Sequence, residues 1–192
     1  MRAAILAASP HNTQPWLFKV TDSSVDLYLD SRRYPGALDP YLREEHIGMG
    51  CALENLMLAA PANGYAASAT LLPGKLTQSA AYPERELVAQ VGLAPGQKQH
   101  SELYDAIPHR HTNRNAYRLE ALPPDFVEDI RQLASSETDV KVFVFTTDKD
   151  RDRIIDMISK ANDIVYETRK WIMGATDGYA QSGAMSRNSA TV

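Results

Sequence analysis

The spacing of apolar positions changes twice within the first sixty residues. Met1 to Ala8 is a short apolar run with Arg2 near its start, and it reads as the last turns of a helix. Trp16 to Val20 and Val25 to Asp30 are rich in aromatic and branched residues, with Thr21-Asp22-Ser23-Ser24 between them. In the second run Val25, Leu27 and Leu29 alternate with Asp26, Tyr28 and Asp30, the period of a strand with one buried face. Together the two runs predict a hairpin. From Tyr41 to about Ala60 the period becomes helical. Ile47, Met49, Cys51, Leu53, Leu56, Met57 and Leu58 leave little polar surface there, so this helix is expected to be buried nearly all round. Gly48 and Gly50 each cost a helix about 1 kcal/mol against Ala. They are expected where a backbone or a ligand must come close.

Pro61 to Gly64 ends that helix, and Gly64 suits a left-handed closing residue. Tyr65 to Leu72 and Glu86 to Val91 read as two further strands around the polar loop Pro73 to Arg85, and Pro95-Gly96-Gln97-Lys98 as a turn. Ser101 to Ile107 predicts a short helix. Pro123-Pro124-Asp125 opens another, with prolines at its start and acids in its first turn, running to about Ala134. Asp139 to Phe145 is a near-continuous apolar run with the look of a buried strand. Asp148 to Ile172 is a long amphipathic pattern that would turn Ile154, Ile155, Met157, Ile158, Ile164, Val165 and Ile172 inward. The segment from Met173 to Val192, rich in Gly, Ala and Ser, has no periodicity. This order of elements predicts an α+β fold: a mostly antiparallel or mixed central sheet flanked by helices, with a long buried central helix. Leu93 to Gln99 is the candidate divider between two half-units, 1–98 and 99–192.

Composition narrows the class. The 192 residues are 44% apolar and 23% charged, enough for a folded core that buries roughly 70% of the unfolded surface. The net charge of −4 speaks against nucleic acid or an anionic membrane as a broad partner. No apolar run approaches the ~20 residues of a membrane span. Cys51 is the one cysteine, so no internal disulfide can form, and a reducing compartment such as the cytoplasm is expected.

Two stretches carry candidate chemistry. Ala7-Ala8-Ser9-Pro10-His11-Asn12-Thr13-Gln14-Pro15-Trp16 brings a hydroxyl, an imidazole and two carboxamides together between two prolines. The prolines predict a stiff, extended loop whose Ser9, Asn12 and Gln14 could line a planar heteroaromatic ligand. An ordinary connecting loop would spend the same side chains on its own backbone. In Pro108-His109-Arg110-His111-Thr112-Asn113-Arg114, two arginines four apart with a hydroxyl midway can clamp a phosphate. A solvated basic patch would look the same. His109 and His111 lie two apart without acidic or cysteine partners at ligand spacing, so no metal is expected. Cys51, within an apolar helix, is expected to be an inert core thiol rather than a nucleophile. No Walker loop, G-x-G-x-x-G or G-x-S-x-G is present.

The string Ser9-Pro10-His11-Asn12-Thr13-Gln14-Pro15-Trp16 resembles the S-x-x-N-x-Q-P-W signature of nitroreductase-like flavoproteins, in particular the Acg-like FMN-binding oxidoreductases. Arg110-His111-Thr112-Asn113-Arg114 is similar to the family's R-[RH]-[ST]-x-[RK] segment, and Gly50 to Ala60 to its G-x-A-x-x-N-L-x-L-A-A helix. The resemblance implies FMN, with Ser9, Asn12 and Gln14 against the flavin and Arg110, Thr112 and Arg114 on its phosphate. Position 10 departs from it, being Pro where many relatives place a second Ser. It implies NAD(P)H as electron donor, a nitroaromatic or quinone as acceptor, ping-pong kinetics, no catalytic side chain, and a site shared by two halves, as a pseudo-dimer or a homodimer. Relatives of this kind run further at both ends, so a fragment is expected. An FMN-storing protein without turnover and an inactive fragment are the alternatives.

Overall fold

The computed structural model describes residues 1–33, 39–75, 77–118, 120–135 and 141–167. They fall into two compact units, one from Met1 to Thr112 and one beginning at Asn113. The fold is α+β.

In the first unit β1 (Trp16–Val20), β2 (Ser24–Asp30), β3 (Tyr65–Leu71) and β4 (Arg85–Pro95) form one antiparallel sheet in the order β1-β2-β4-β3. The hairpin expected from alternation is there, with Trp16 opposite Leu29 and Val20 opposite Val25. Val25, Leu27 and Leu29 all point to the buried face. β4 runs four residues past the expected Val91, because its end pairs with the whole of β3, Pro95 lying opposite Tyr65. Pairing of that kind depends on the neighbouring strand and leaves no mark on local alternation.

Helix α1 (Arg43–Ala62) lies on the sheet. Its inward stripe is Glu45, Gly48, Met49, Ala52, Leu56, Ala59 and Ala60, spaced three and four apart as one helix face requires. Met49 and Ala52 pack with Trp16, Leu27 and Leu29; Leu56 packs with Ala4, Val25 and Val91. The outer face does not share this burial. Ile47 is 67% exposed and Cys51 is exposed, so the expectations of all-round burial and of a core thiol at Cys51 do not hold. One sheet covers one stripe of a helix, so the outer side of the first three turns stays open, whereas from Asn55 to Ala62 every residue is buried or half-buried. Gly64 closes the helix end at φ +82°, as its position suggested.

Met1 to Ala8 forms a single 3₁₀ turn, Ala4–Leu6, rather than α-helical turns; Ala7 is already extended (φ −61°, ψ 157°). The side chain of Asn55 donates to the carbonyl of Ala3 at 3.1 Å and holds this segment against α1. Helix α2 (Glu102–Ala106) starts at Ser101, whose hydroxyl accepts from the Tyr104 amide.

The second unit contains α3 (Pro124–Ser135) and α4 (Asp148–Glu167). Residues 141–146 form no strand, and Phe143 and Phe145 are exposed. A strand exists through a pairing neighbour, and all the described strands belong to the sheet of the first unit. The expected apolar face of α4 is exposed as well, at Ile155, Met157, Ile158 and Ile164, with Ile154 half-buried. Amphipathic spacing makes a face, but burial needs a surface to cover it. Asp139, Val140, Ile172 and the stretch 173–192 lie outside the described residues.

Candidate functional site

The loop from Ser9 to Pro15 leaves the 3₁₀ segment, crosses the start of α1 and delivers Trp16 to β1. It is not extended. Pro10–Asn12 makes a 3₁₀ turn, and His11 (φ 48°), Asn12 (φ 59°) and Gln14 (φ 50°) take left-handed backbone angles around a right-handed Thr13. The prolines fix φ only at their own positions, and the turn is closed by hydrogen bonds instead. The Asn12 and Thr13 amides donate to the carbonyls of Ser9 and Pro10 at 3.1 and 2.9 Å. The Gln14 amide donates to the Ser9 hydroxyl at 3.1 Å. Left-handed angles cost a non-glycine residue about 1–2 kcal/mol, less for Asn, so a loop holding three of them has to be fastened from outside.

Four fastenings are visible. Gly48 of α1 is the first: a Cβ there would stand 3.4 Å from the Ala8 carbonyl oxygen and 3.5 Å from Pro10 Cδ. This fulfils the expected close approach, whereas Gly50 has nothing near it. Second, the Thr13 hydroxyl donates to the Glu45 carboxyl, 3.0 and 3.1 Å from its two oxygens. Third, Arg33 Nη1 donates to the Gln14 carbonyl at 3.0 Å. Fourth, the Asp30 amide donates to the Pro15 carbonyl at 2.7 Å.

Two buried carboxylates frame this arrangement. Asp30 accepts from Arg32 Nε and Nη2, both at 2.8 Å, and the Arg32 guanidinium holds its carboxyl below the usual carboxylate range. Asp39 accepts from the amides of Arg43, Glu44 and Glu45 at 2.8, 2.8 and 3.1 Å and so caps α1. Glu45 follows in the first turn. It is fully buried, and burial, with help from Asp39 and Glu44, pushes it up to about 8 against the opposing Thr13 bond. His46 Nδ1 lies 2.6 Å from the Leu42 carbonyl and Nε2 lies 3.0 Å from the Tyr82 hydroxyl, so this histidine joins the loop before α1 to the segment before β4.

The residues singled out by sequence are placed as follows. Asn12 and Gln14 are exposed, and their side chains stand on the fastened backbone. Ser9 is half-buried and its oxygen receives the Gln14 amide, which leaves its hydroxyl hydrogen to donate elsewhere. Arg110 donates from Nη2 to the carbonyl of Leu6 at 3.3 Å, bringing the basic segment to the segment leading into the loop. Thr112 is exposed at the end of the first unit; Arg114 is exposed in the second. Among the described residues no cluster of His, Cys, Asp and Glu could hold a metal ion.

Comparison with known proteins agrees with the motifs. No family profile matches the chain. It is 30% identical over 122 residues to "Putative NAD(P)H nitroreductase Rv3131" of Mycobacterium tuberculosis, covering 62% of this chain and 33% of that protein. Over 130 residues it is 32% identical to "Putative NAD(P)H nitroreductase acg" of the same organism, covering 66% of this chain and 36% of that protein. The chain is thus similar, over roughly two thirds of its own length, to proteins named as NAD(P)H nitroreductases. It spans about a third of the length of the curated relatives it matches.

Sequence reasoning missed Thr13, Glu45 and Arg33, which shape the Ser9–Pro15 loop without being fixed positions of its motif. Glu45 had a signal: an acid on the inward stripe, four residues before Met49 and seven before Ala52, is out of place unless it has a partner.

Proposed function

We propose that this chain is part of an FMN-dependent oxidoreductase that passes electrons from NAD(P)H to a small acceptor of nitroaromatic or quinone type. The observation that carries the reading is the loop itself: two exposed carboxamides, Asn12 and Gln14, on a backbone fixed by Ser9, Glu45, Arg33 and Gly48. The donor set suits the cofactor. Carboxamides offer both donor and acceptor to the ring carbonyl and nitrogen edges of a flavin, and guanidinium forks match phosphate oxygens. Ser9, Asn12 and Gln14 would hold the ring and its side chain. Arg110 and Thr112 would hold the phosphate, with Arg114 as a third member. When bound, FMN supplies two-electron transfer between a nicotinamide and a second substrate in one pocket, which gives ping-pong kinetics. The chain's part is to bind, orient and exclude water; no acid, base or nucleophile is required of it. The relatives' names, which specify NAD(P)H nitroreductase, support the same donor and acceptor class.

No described helix is long and apolar enough to cross a membrane. A cytoplasmic setting, and pairing of two half-units around each flavin within one chain or between two, belong to the same proposal. The deciding experiment is a visible absorption spectrum of the purified chain with and without FMN, followed by anaerobic addition of NADPH. Flavin bands that stay with the protein after free FMN is removed, and that bleach, support the enzyme; retained bands that persist mark a flavin-storing protein; no retained bands reject the flavin.

A further inference from the structure

We propose that Glu45 is a positioning residue for the flavin: its buried carboxyl bolts Thr13 to the first turn of α1 and so holds Asn12 and Gln14 in the left-handed conformations that present their carboxamides. The inference rests on the FMN reading above and goes beyond the motif, which contains neither Thr13 as a fixed position nor any residue of α1's first turn.

The geometry argues from three sides. Thr13 is the right-handed residue between left-handed Asn12 and Gln14, so its rotation would turn both neighbouring peptides. Its hydroxyl reaches both oxygens of a side chain that is fully buried. The base of that side chain is rigid, because the Glu45 amide is itself received by Asp39, which caps the helix. Charge pairing does not explain an acid here. Glu45 forms no ion pair with Lys or Arg among the described residues, and an apolar residue on the same stripe would avoid its desolvation. What the carboxyl supplies instead is an oriented partner for one loop hydroxyl. Burial pushes the group up to about 8, towards its neutral form, which can both accept from and donate to that hydroxyl.

The test compares parent, Glu45→Gln, Glu45→Leu, Thr13→Ser, Thr13→Val and the double variant Thr13→Val/Glu45→Leu. FMN dissociation constants, the flavin reduction potential and hydrogen exchange at the Thr13 and Gln14 amides of the flavin-free chain are measured for each. Thr13→Val and Glu45→Leu should each weaken FMN binding about tenfold or more, shift the potential and speed exchange at both amides. Thr13→Ser and Glu45→Gln should stay near the parent, and the double variant should be no worse than either single change, as expected for one shared interaction. Thr13 is only half-buried, so its variants report on the clamp even if Glu45→Leu fails to fold. Parent-like exchange and parent-like FMN binding in Thr13→Val would overturn the clamp while leaving the flavin reading intact. Failure of the parent to bind FMN would overturn the flavin reading and this role together, and faster exchange in Thr13→Val would then mark Glu45 as a loop anchor without a flavin.

Discussion

Gly48 lies directly under the loop, where a methyl group would be in van der Waals contact with the Ala8 carbonyl oxygen at 3.4 Å and the Ser9 Cα at 3.5 Å. Two residues on, Gly50 faces open space. The two glycines of α1 therefore answer differently to substitution. Gly50→Ala should stabilise the chain by about 0.5–1 kcal/mol through helix propensity alone. Gly48→Val should destabilise it and weaken FMN binding, since its branches push the loop off the helix. Urea midpoints and flavin titrations of the two variants check this, and a pair with equal effects would contradict the close approach.

Glu45 gives stability a pH dependence. Its ordinary value is 4.5 and the fold raises it to about 8, so between these values the folded chain keeps a proton that the unfolded chain releases. Stability should fall as pH rises through that window, at up to about 1.4 kcal/mol per pH unit, and level off above it. Asp30, held low by Arg32, works in the opposite sense, and only at acid pH, where its contribution is lost as pH falls through its lowered range. Glu45→Gln should flatten the neutral part of the curve. Denaturation at about pH 5.5 and about pH 8.5 measures the difference; parallel curves for parent and variant would mean that Glu45 ionises normally.

Asp39 receives the three amides that open α1 and is only 3% exposed. Asp39→Ala should cost about 1–3 kcal/mol, the range for losing a helix cap and leaving buried donors unpaired. Because Glu45 stands on the same turn, thermal melts of this variant should be accompanied by weaker FMN binding, which Asp39→Asn should partly restore.

Asn12 allows strain and contact to be separated. At φ 59° a glycine fits its backbone without penalty. Asn12→Gly should keep or raise stability while weakening flavin binding or shifting the flavin potential. Parent-like titrations in the glycine variant would remove the Asn12 carboxamide from the site.

Arg110→Ala should leave the melting temperature nearly unchanged, since the side chain is exposed and its one described bond is to the Leu6 carbonyl. FMN affinity should nevertheless drop at least tenfold, about 1.4 kcal/mol, and the parent's affinity should fall with rising salt as an exposed charge pair requires. Unchanged affinity would reject Arg110 as a phosphate ligand.

Local chemistry alone determined much of this protein. Alternation in Val25, Leu27 and Leu29, the helical period from Ile47 onward and the freedom of Gly64 are effects of neighbouring residues, so the hairpin, α1 and its end were legible in one dimension. Asn12, Gln14 and Arg110 could be nominated as candidates for a similar reason, since the chemistry proposed for them is carried by side-chain type. Tertiary structure decided what depends on a partner distant in sequence. It set the length of β4 through pairing with β3, the open outer side of α1's first three turns and the uncovered apolar face of α4. It also bent the loop into left-handed turns, fastened by Glu45, Arg33 and Gly48 from 19 to 39 residues away along the chain. No period or propensity encodes such a contact, because its energy belongs to two segments that meet only after folding.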